Sequence, residues 1–270
     1  MKRKKYLGQN FLNNKNILEQ MAAAAELTKR DIVLEVGPGK GTLTEILAVR
    51  AKKIIAVEKD ADLIPFLKEK FRDFKNVKIV EGDIFNLGIT PSIPLILRGT
   101  KEEGSPLKVR GAREVMNYKI VANIPYYITS HFLRLFLSET KFRPKVMVLM
   151  VQKEVAERIM AKDGKESMLS LSVKVYGKSE FIRKVPRGAF SPPPNVDSAI
   201  IKITTTPPPL LVKEGAFGIE KILAVARIAF QKKRKMLRQS IGKKIPLPKN
   251  YETKRPEDLS PDDWLKILRG

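Results

Sequence analysis

The chain has no cysteine and a single histidine, His131, among 270 residues. Disulfides, zinc–thiolate sites and thiol nucleophiles are therefore excluded, and a histidine-built metal site or triad is improbable. Acidic residues are scarce relative to basic ones: 29 Asp and Glu stand against 52 Lys and Arg, a formal charge of +23. An excess of that size points to a polyanionic partner, nucleic acid before an anionic membrane surface. No apolar run approaches the ~20 residues needed to span a bilayer, and the basic start MKRKKYLGQNFL lacks the apolar stretch of a signal peptide. The chain thus reads as cytoplasmic, without membrane or metal. What is present in quantity is apolar side chain, 43% of residues, enough for a sizeable core.

Short apolar runs alternate with helical spacing through the first half. Strands are expected at Ile32–Val36, Lys53–Val57, Val77–Val80, Lys119–Ala122 and Val146–Val151, with helices over Thr42–Arg50, DADLIPFLKEKF and QKEVAERIMAK. Strand and helix in alternation imply right-handed βαβ units, hence an α/β fold with a doubly wound parallel sheet. Ser167–Tyr176 reads as a helix, and Glu180–Val185 and Ser198–Thr204 as two closing strands around the loop RGAFSPPPNVD. Beyond it the texture becomes helical and basic: Ile219–Ser240 is expected to form one long helix, and PEDLSPDDWLKIL a capped terminal one. A boundary near Pro207 gives a Rossmann-like domain, 1–206, and a small helical RNA-binding domain, 207–270. Gly88–Asn117 and Pro207–Gly218 carry Pro and Gly without sustained period and read as solvated insertions, 88–117 being the longer.

Glu35-Val36-Gly37-Pro38-Gly39-Lys40-Gly41-Thr42 falls between a strand and a helix, where glycines let the backbone turn sharply and a ligand approach closely. A dinucleotide fingerprint would have glycine where Thr42 stands. Glycine at alternate positions after an acid fits an S-adenosylmethionine site instead. Glu58 closes the second strand about twenty residues on, where a carboxylate can accept both ribose hydroxyls. Asp83, ending the third, can accept from an adenine amine while Ile84 packs on the ring. Asn123-Ile124-Pro125-Tyr126 follows the fourth strand. The lone pair of an adenine N6 amine is delocalised into the ring; a site helps by accepting its N–H groups on the Asn123 side-chain oxygen and a neighbouring backbone carbonyl. Pro125 would fix the carbonyls and Tyr126 would stack on the base, so orientation and electrostatics carry catalysis without a strong general base. Phe190, before a stiff polyproline stretch, could form the other half of an aromatic sandwich.

Together these motifs resemble the ribosomal-RNA adenine dimethyltransferase family. The likeness runs from Leu7-Gly8-Gln9-Asn10-Phe11-Leu12 through the glycine loop, Glu58, Gly82-Asp83, Asn123 to Tyr126, Gln152-Lys153-Glu154-Val155 and FSPPPNVDS to the tail, Arg227 to Gly242. The resemblance implies a class I S-adenosylmethionine methyltransferase sheet with a small C-terminal helical domain, acting on two adjacent adenosines near the 3′ end of small-subunit rRNA in a pre-ribosomal subunit, as a monomer. It implies cofactor contacts at Asn10, Leu12, Gly37, Glu58, Asp83 and Asn123, and a target-base pocket of Asn123, Tyr126 and Phe190. Lys232, Lys233 and Arg234, with Lys2 to Lys5, are candidate phosphate contacts. The stretch 88–117 is longer than the family usually carries, and Asn14 stands where Asp is common. Two alternatives stay open: the macrolide-resistance branch, acting on large-subunit rRNA, and an RNA-binding assembly factor without turnover.

Overall fold

The computed structural model describes residues 11–12, 14–86, 118–140, 142–161, 164–205 and 209–269. The expectations placed on Lys2 to Lys5, Asn10, Gly88–Asn117 and Pro207 lie outside those residues. Nine strands are present among the described residues: β1 Phe11–Leu12, β2 Ile32–Val36, β3 Lys53–Glu58, β4 Val77–Glu81, β5 Tyr118–Asn123, β6 Val146–Gln152, β7 Lys178–Val185, β8 Phe190–Ser191 and β9 Ser198–Thr204. Seven of them form one sheet in the order β4-β3-β2-β5-β6-β9-β7, while β1 and β8 pair separately.

The chain divides into two compact units, Met1–Lys153 with Phe181–Thr204, and Glu154–Glu180 with Thr205–Gly270. The second unit therefore gathers more than the tail that a single cut after residue 206 assigns to it. The added segment carries Met168–Lys174, the helix expected over 167–176, whose residues Leu171 and Val173 are fully buried.

In the first unit the β2–β3, β3–β4, β2–β5 and β5–β6 pairs are parallel. β9 is antiparallel to β6, from Val146↔Thr204 to Gln152↔Ser198, so the sheet is mixed at that side. β2, β3, β5 and β6 are almost wholly buried, which explains their near-continuous Val, Ile, Leu and Met. Helices α1 Lys15–Ala24 and α2 Thr42–Ala48 place Ile17, Leu18, Met21, Leu43, Ile46 and Leu47 in one cluster with Val33, Ile54, Val121 and Val148 from the sheet. Asn14 caps α1, its side-chain oxygen accepting the Ile17 N–H at 3.3 Å. An aspartate would cap equally well, so the departure noted at this position costs nothing.

In the second unit the helix Pro209–Phe230 begins ten residues before the expected start, taking in most of PPPLLVKEGAFG. Pro209 occupies its first position, where a missing N–H does no harm. Ile219, Ile222, Leu223, Ala226 and Ala229 form its buried stripe. The helix also ends earlier than the expected Ser240. Residues 231–236 turn, and a four-residue helix, Leu237–Ser240, follows. The Leu237 and Arg238 N–H groups donate to the Lys254 and Glu252 carbonyls, at 2.8 and 3.1 Å, in place of intrahelical partners. Pro261–Arg269 is capped as its sequence suggests: Ser260 Oγ accepts the Asp263 N–H, and Asp263 accepts the Ser260 N–H in return.

Candidate cofactor and base-binding site

In the order β4-β3-β2-β5-β6, the chain winds one way from β2 through β3 to β4 and the other way from β5 to β6. Crevices beyond the carboxyl ends of strands at such a reversal are where open α/β sheets bind ligands. The register sets the acidic strand ends side by side, with Val36 opposite Val57 and Glu58 opposite Glu81. Backbone bonds extend the ladder into the loops: Gly37 N–H donates to the Val57 carbonyl at 2.9 Å and Gly82 N–H to that of Glu58 at 2.8 Å.

A cavity of about 320 Å³ opens there, lined chiefly by Gly37, Glu58, Asp83 and Ile84, with Phe85 and His131 on one wall and Tyr127 and Ile128 beyond. Gly37 has φ +71°, and a Cβ added to it would meet no protein atom within 4 Å. Its bare face thus borders the open volume, as close approach by a ligand requires. Gly41, with φ +75°, answers a different need: a Cβ there would lie 2.6 Å from the Phe71 ring. The Glu58 carboxylate is 6% exposed and accepts the N–H groups of Gly39 at 3.1 Å and Asp60 at 2.9 Å. Burial raises its pKa against the pull of those amides. With two oxygens it retains lone pairs for hydroxyls.

Asp83 holds Lys59 at 2.8 Å and accepts the Phe85 N–H at 3.0 Å. Burial pushes its carboxyl up, but Lys59, the Phe85 amide and the nearby His131 together outweigh it, and the net shift is downward. An ionised acceptor is therefore kept at the wall. His131 stacks on Phe85 with centroids 4.0 Å apart and planes within 5°. Nothing in the local sequence signals this pair, since the fold alone joins residues 46 positions apart.

Asn123 ends β5 and Tyr126 opens a short turn, Tyr126–Ile128. The turn engages the Pro125 carbonyl, which accepts from Ile128 N–H at 3.1 Å, and the Tyr126 carbonyl, which accepts from Thr129 Oγ1 at 3.0 Å. The Tyr126 hydroxyl lies 2.5 Å from Ser198 Oγ. Phe190 is 4% exposed and packs in the core cluster with Leu12, its pairing partner on β1. The structure thus gathers Gly37, Glu58 and Asp83 around one cavity. Among the described residues its lining takes in neither Leu12, Asn123 nor Tyr126; Tyr127, 64% exposed and directly after the motif, lines it instead.

Sequence reasoning passed over Glu35 as a site residue. Its carboxyl is buried beneath the glycine loop, and Oε2 has no hydrogen-bond partner among the described residues. Burial pushes its pKa up to about 8, against the Thr44 hydroxyl, with the negative charge of Glu58 adding to the rise. The acid preceding the glycines was the available signal. Lys232, Lys233 and Arg234 are exposed in the second unit, where with Lys235, Phe230, Gln231 and Gln239 they line a basic hollow of about 730 Å³.

A Rossmann-like α/β sheet with a glycine loop after β2, acids at the ends of β3 and β4 and an Asn-Ile-Pro-Tyr turn after β5 is that of a class I S-adenosylmethionine methyltransferase. The family model "Ribosomal RNA adenine dimethylase" matches residues 1–263, and the chain belongs to that family. It is 40% identical over 278 residues to ribosomal RNA small subunit methyltransferase A of Dehalococcoides mccartyi strain CBDB1, covering 99% of this chain and 88% of that one. The protein of the same name from Geobacillus sp. strain WCH70 is 37% identical over 270 residues, covering 99% and 86%. Among solved structures, a dimethyladenosine transferase from Plasmodium falciparum superposes with TM-score 0.73 and 28% identity, covering 96% of each chain. The 23S rRNA methyltransferase ErmE superposes with TM-score 0.71 and 26% identity, covering 96% of this chain and 98% of that one.

Proposed function

We propose that this chain dimethylates the N6 amines of two adjacent adenosines near the 3′ end of small-subunit rRNA, within a pre-ribosomal small subunit in the cytoplasm, acting as a monomer. One observation carries the reading: the Asn123–Tyr126 turn follows directly from the parallel sheet whose neighbouring strand ends, Gly37, Glu58 and Asp83, surround the cavity. The likeness to small-subunit enzymes over 99% of the chain supports the choice of RNA.

When bound, S-adenosylmethionine supplies an electrophilic methyl on its sulfonium. Glu58 accepts the ribose hydroxyls, Asp83 the adenine amine, and the bare face of Gly37 leaves room for the cofactor's backbone side. By family resemblance, Asn10 and Leu12 contact the methionine end. The Asn123 side-chain oxygen accepts one N–H of the target amine. A neighbouring backbone carbonyl of the turn accepts the other. Two acceptors so placed turn the nitrogen lone pair out of ring conjugation and toward the methyl. Tyr126 stacks on the extruded base, while Phe190, 4% exposed in the core cluster with Leu12, packs rather than stacks. Lys232, Lys233 and Arg234 hold the RNA backbone.

Methyl transfer from labelled cofactor to immature small subunits, followed by nucleoside analysis, tests the reading. Wild type should yield dimethyladenosine, and Asn123→Ala should lose at least about a hundredfold in rate, the scale of a lost preorganised polar contact. The similarity to ErmE favours one competing reading, a large-subunit target. Product on free large-subunit RNA alone would establish it. Cofactor binding without product on either RNA would leave an assembly factor.

A further inference from the structure

Tyr126 and Ser198 stand 72 residues apart, yet their hydroxyl oxygens lie 2.5 Å apart. Ser198 is fully buried at the start of β9, in register with Gln152 of β6, and cannot move without disturbing the sheet. The residue before it is tied as firmly. Asp197 pairs with Lys184 at 2.9 Å and accepts the Arg187 N–H at 3.0 Å, while its carbonyl accepts the Lys153 N–H at 3.0 Å. At its backbone Tyr126 is held by Thr129 Oγ1. The ring is thus pinned at both ends, and its far anchor belongs to the same loop that carries Phe190.

We propose that Ser198 is a positioning residue for the reaction, holding the Tyr126 ring in its base-stacking orientation before RNA arrives and tying the 190–198 loop to the Asn123–Tyr126 turn. This rests on the reading of Tyr126 as the ring that stacks on the target adenine. An aromatic ring with its hydroxyl released regains rotamer freedom, which must be lost again each time a base is seated. A ring fixed in advance loses none. The benefit belongs to the step in which the base is aligned rather than to capture of the subunit, which the wider RNA contact surface performs. It should therefore appear in kcat rather than in KM for RNA, and cofactor affinity should not change.

The test is a double-mutant cycle on methyl transfer to immature small subunits, with Ser198→Ala, Tyr126→Phe and the double variant, alongside cofactor Kd by calorimetry and Tm. Tyr126→Phe removes the same bond from the other side, keeps the ring and leaves the buried serine in place. Each single variant should lose roughly 3- to 10-fold in kcat, the scale of one immobilised side chain, with KM for subunits and cofactor Kd within about twofold of wild type. The double variant should lose no more than either single one. Multiplicative losses, or a loss in Ser198→Ala with Tyr126→Phe unaffected, would overturn the proposal and leave Ser198 a packing residue. A Tyr126→Ala variant separates the underlying reading: if it kept full kcat, Tyr126 would not be the stacking ring at all.

Discussion

Glu35 carries a buried carboxyl pushed far above its ordinary value, up to about 8. Such an acid keeps its proton in the folded chain at pH values where the unfolded chain has released it. Between about 4.5 and 8 the folded state therefore binds more protons, and stability falls as pH rises through that window. Glu35→Gln keeps the shape and removes the titration. The expected outcome is a Tm difference, wild type minus variant, that declines steadily from pH 4.5 to 8 in thermal scans of the ligand-free protein. Glu58 shifts in the same direction and is present in both proteins, so the difference reports Glu35 together with its coupling to Glu58. Parallel curves across the window would show that Glu35 ionises freely and that the loop above it opens to water. The sequence announces this residue only as an acid before glycines, since its effect depends on how completely the sheet covers it.

At the scale of elements, two glycines four positions apart in one loop should fail differently. Gly41 begins α2 with φ +75° under the Phe71 ring, so Gly41→Ala meets both backbone strain and a clash. A non-glycine residue in that region costs about 1–3 kcal/mol, or roughly 2–10 °C in Tm, before Phe71 shifts. Gly37→Ala meets open space instead, and its methyl would project where the cofactor must come close. Calorimetry should show at least about tenfold weaker cofactor binding for Gly37→Ala with the smaller fall in Tm. Unchanged cofactor affinity there would remove Gly37 from the site. These loops were legible because a buried parallel strand has a continuous apolar run that stops abruptly at its functional end. The strand ends at Val36, Glu58, Glu81 and Asn123 fall within one residue of those the composition suggests. Less legible was what long-range contact decides. α1 carries its apolar residues among a run of alanines, and the break after Phe230 depends on hydrogen bonds from Leu237 and Arg238 to residues some fifteen positions further on. The Tyr126–Ser198 and Phe85–His131 contacts likewise join segments that no local pattern connects.

For the whole molecule, the +23 charge poses a question that neither residue nor element answers: whether RNA is held by a general field or by particular cations. Family membership makes rRNA the substrate, and the hollow beside Lys232, Lys233 and Arg234 concentrates four basic residues after the end of a long helix. Each phosphate neutralised releases counterions, so log affinity falls with log salt by about 0.7–0.9 per contact, depending on strandedness. If these three side chains each meet a phosphate, reversing all three to Glu should flatten that slope by about 2–3 and weaken binding most at low salt, while leaving cofactor affinity unchanged. A matched control reverses Arg30, Lys68 and Lys75, exposed residues of the other unit. It lowers the net charge equally without touching the hollow. Local contacts predict that only the first variant changes the slope. A general field predicts that both weaken binding alike, in which case the basic hollow would have no special claim on the RNA.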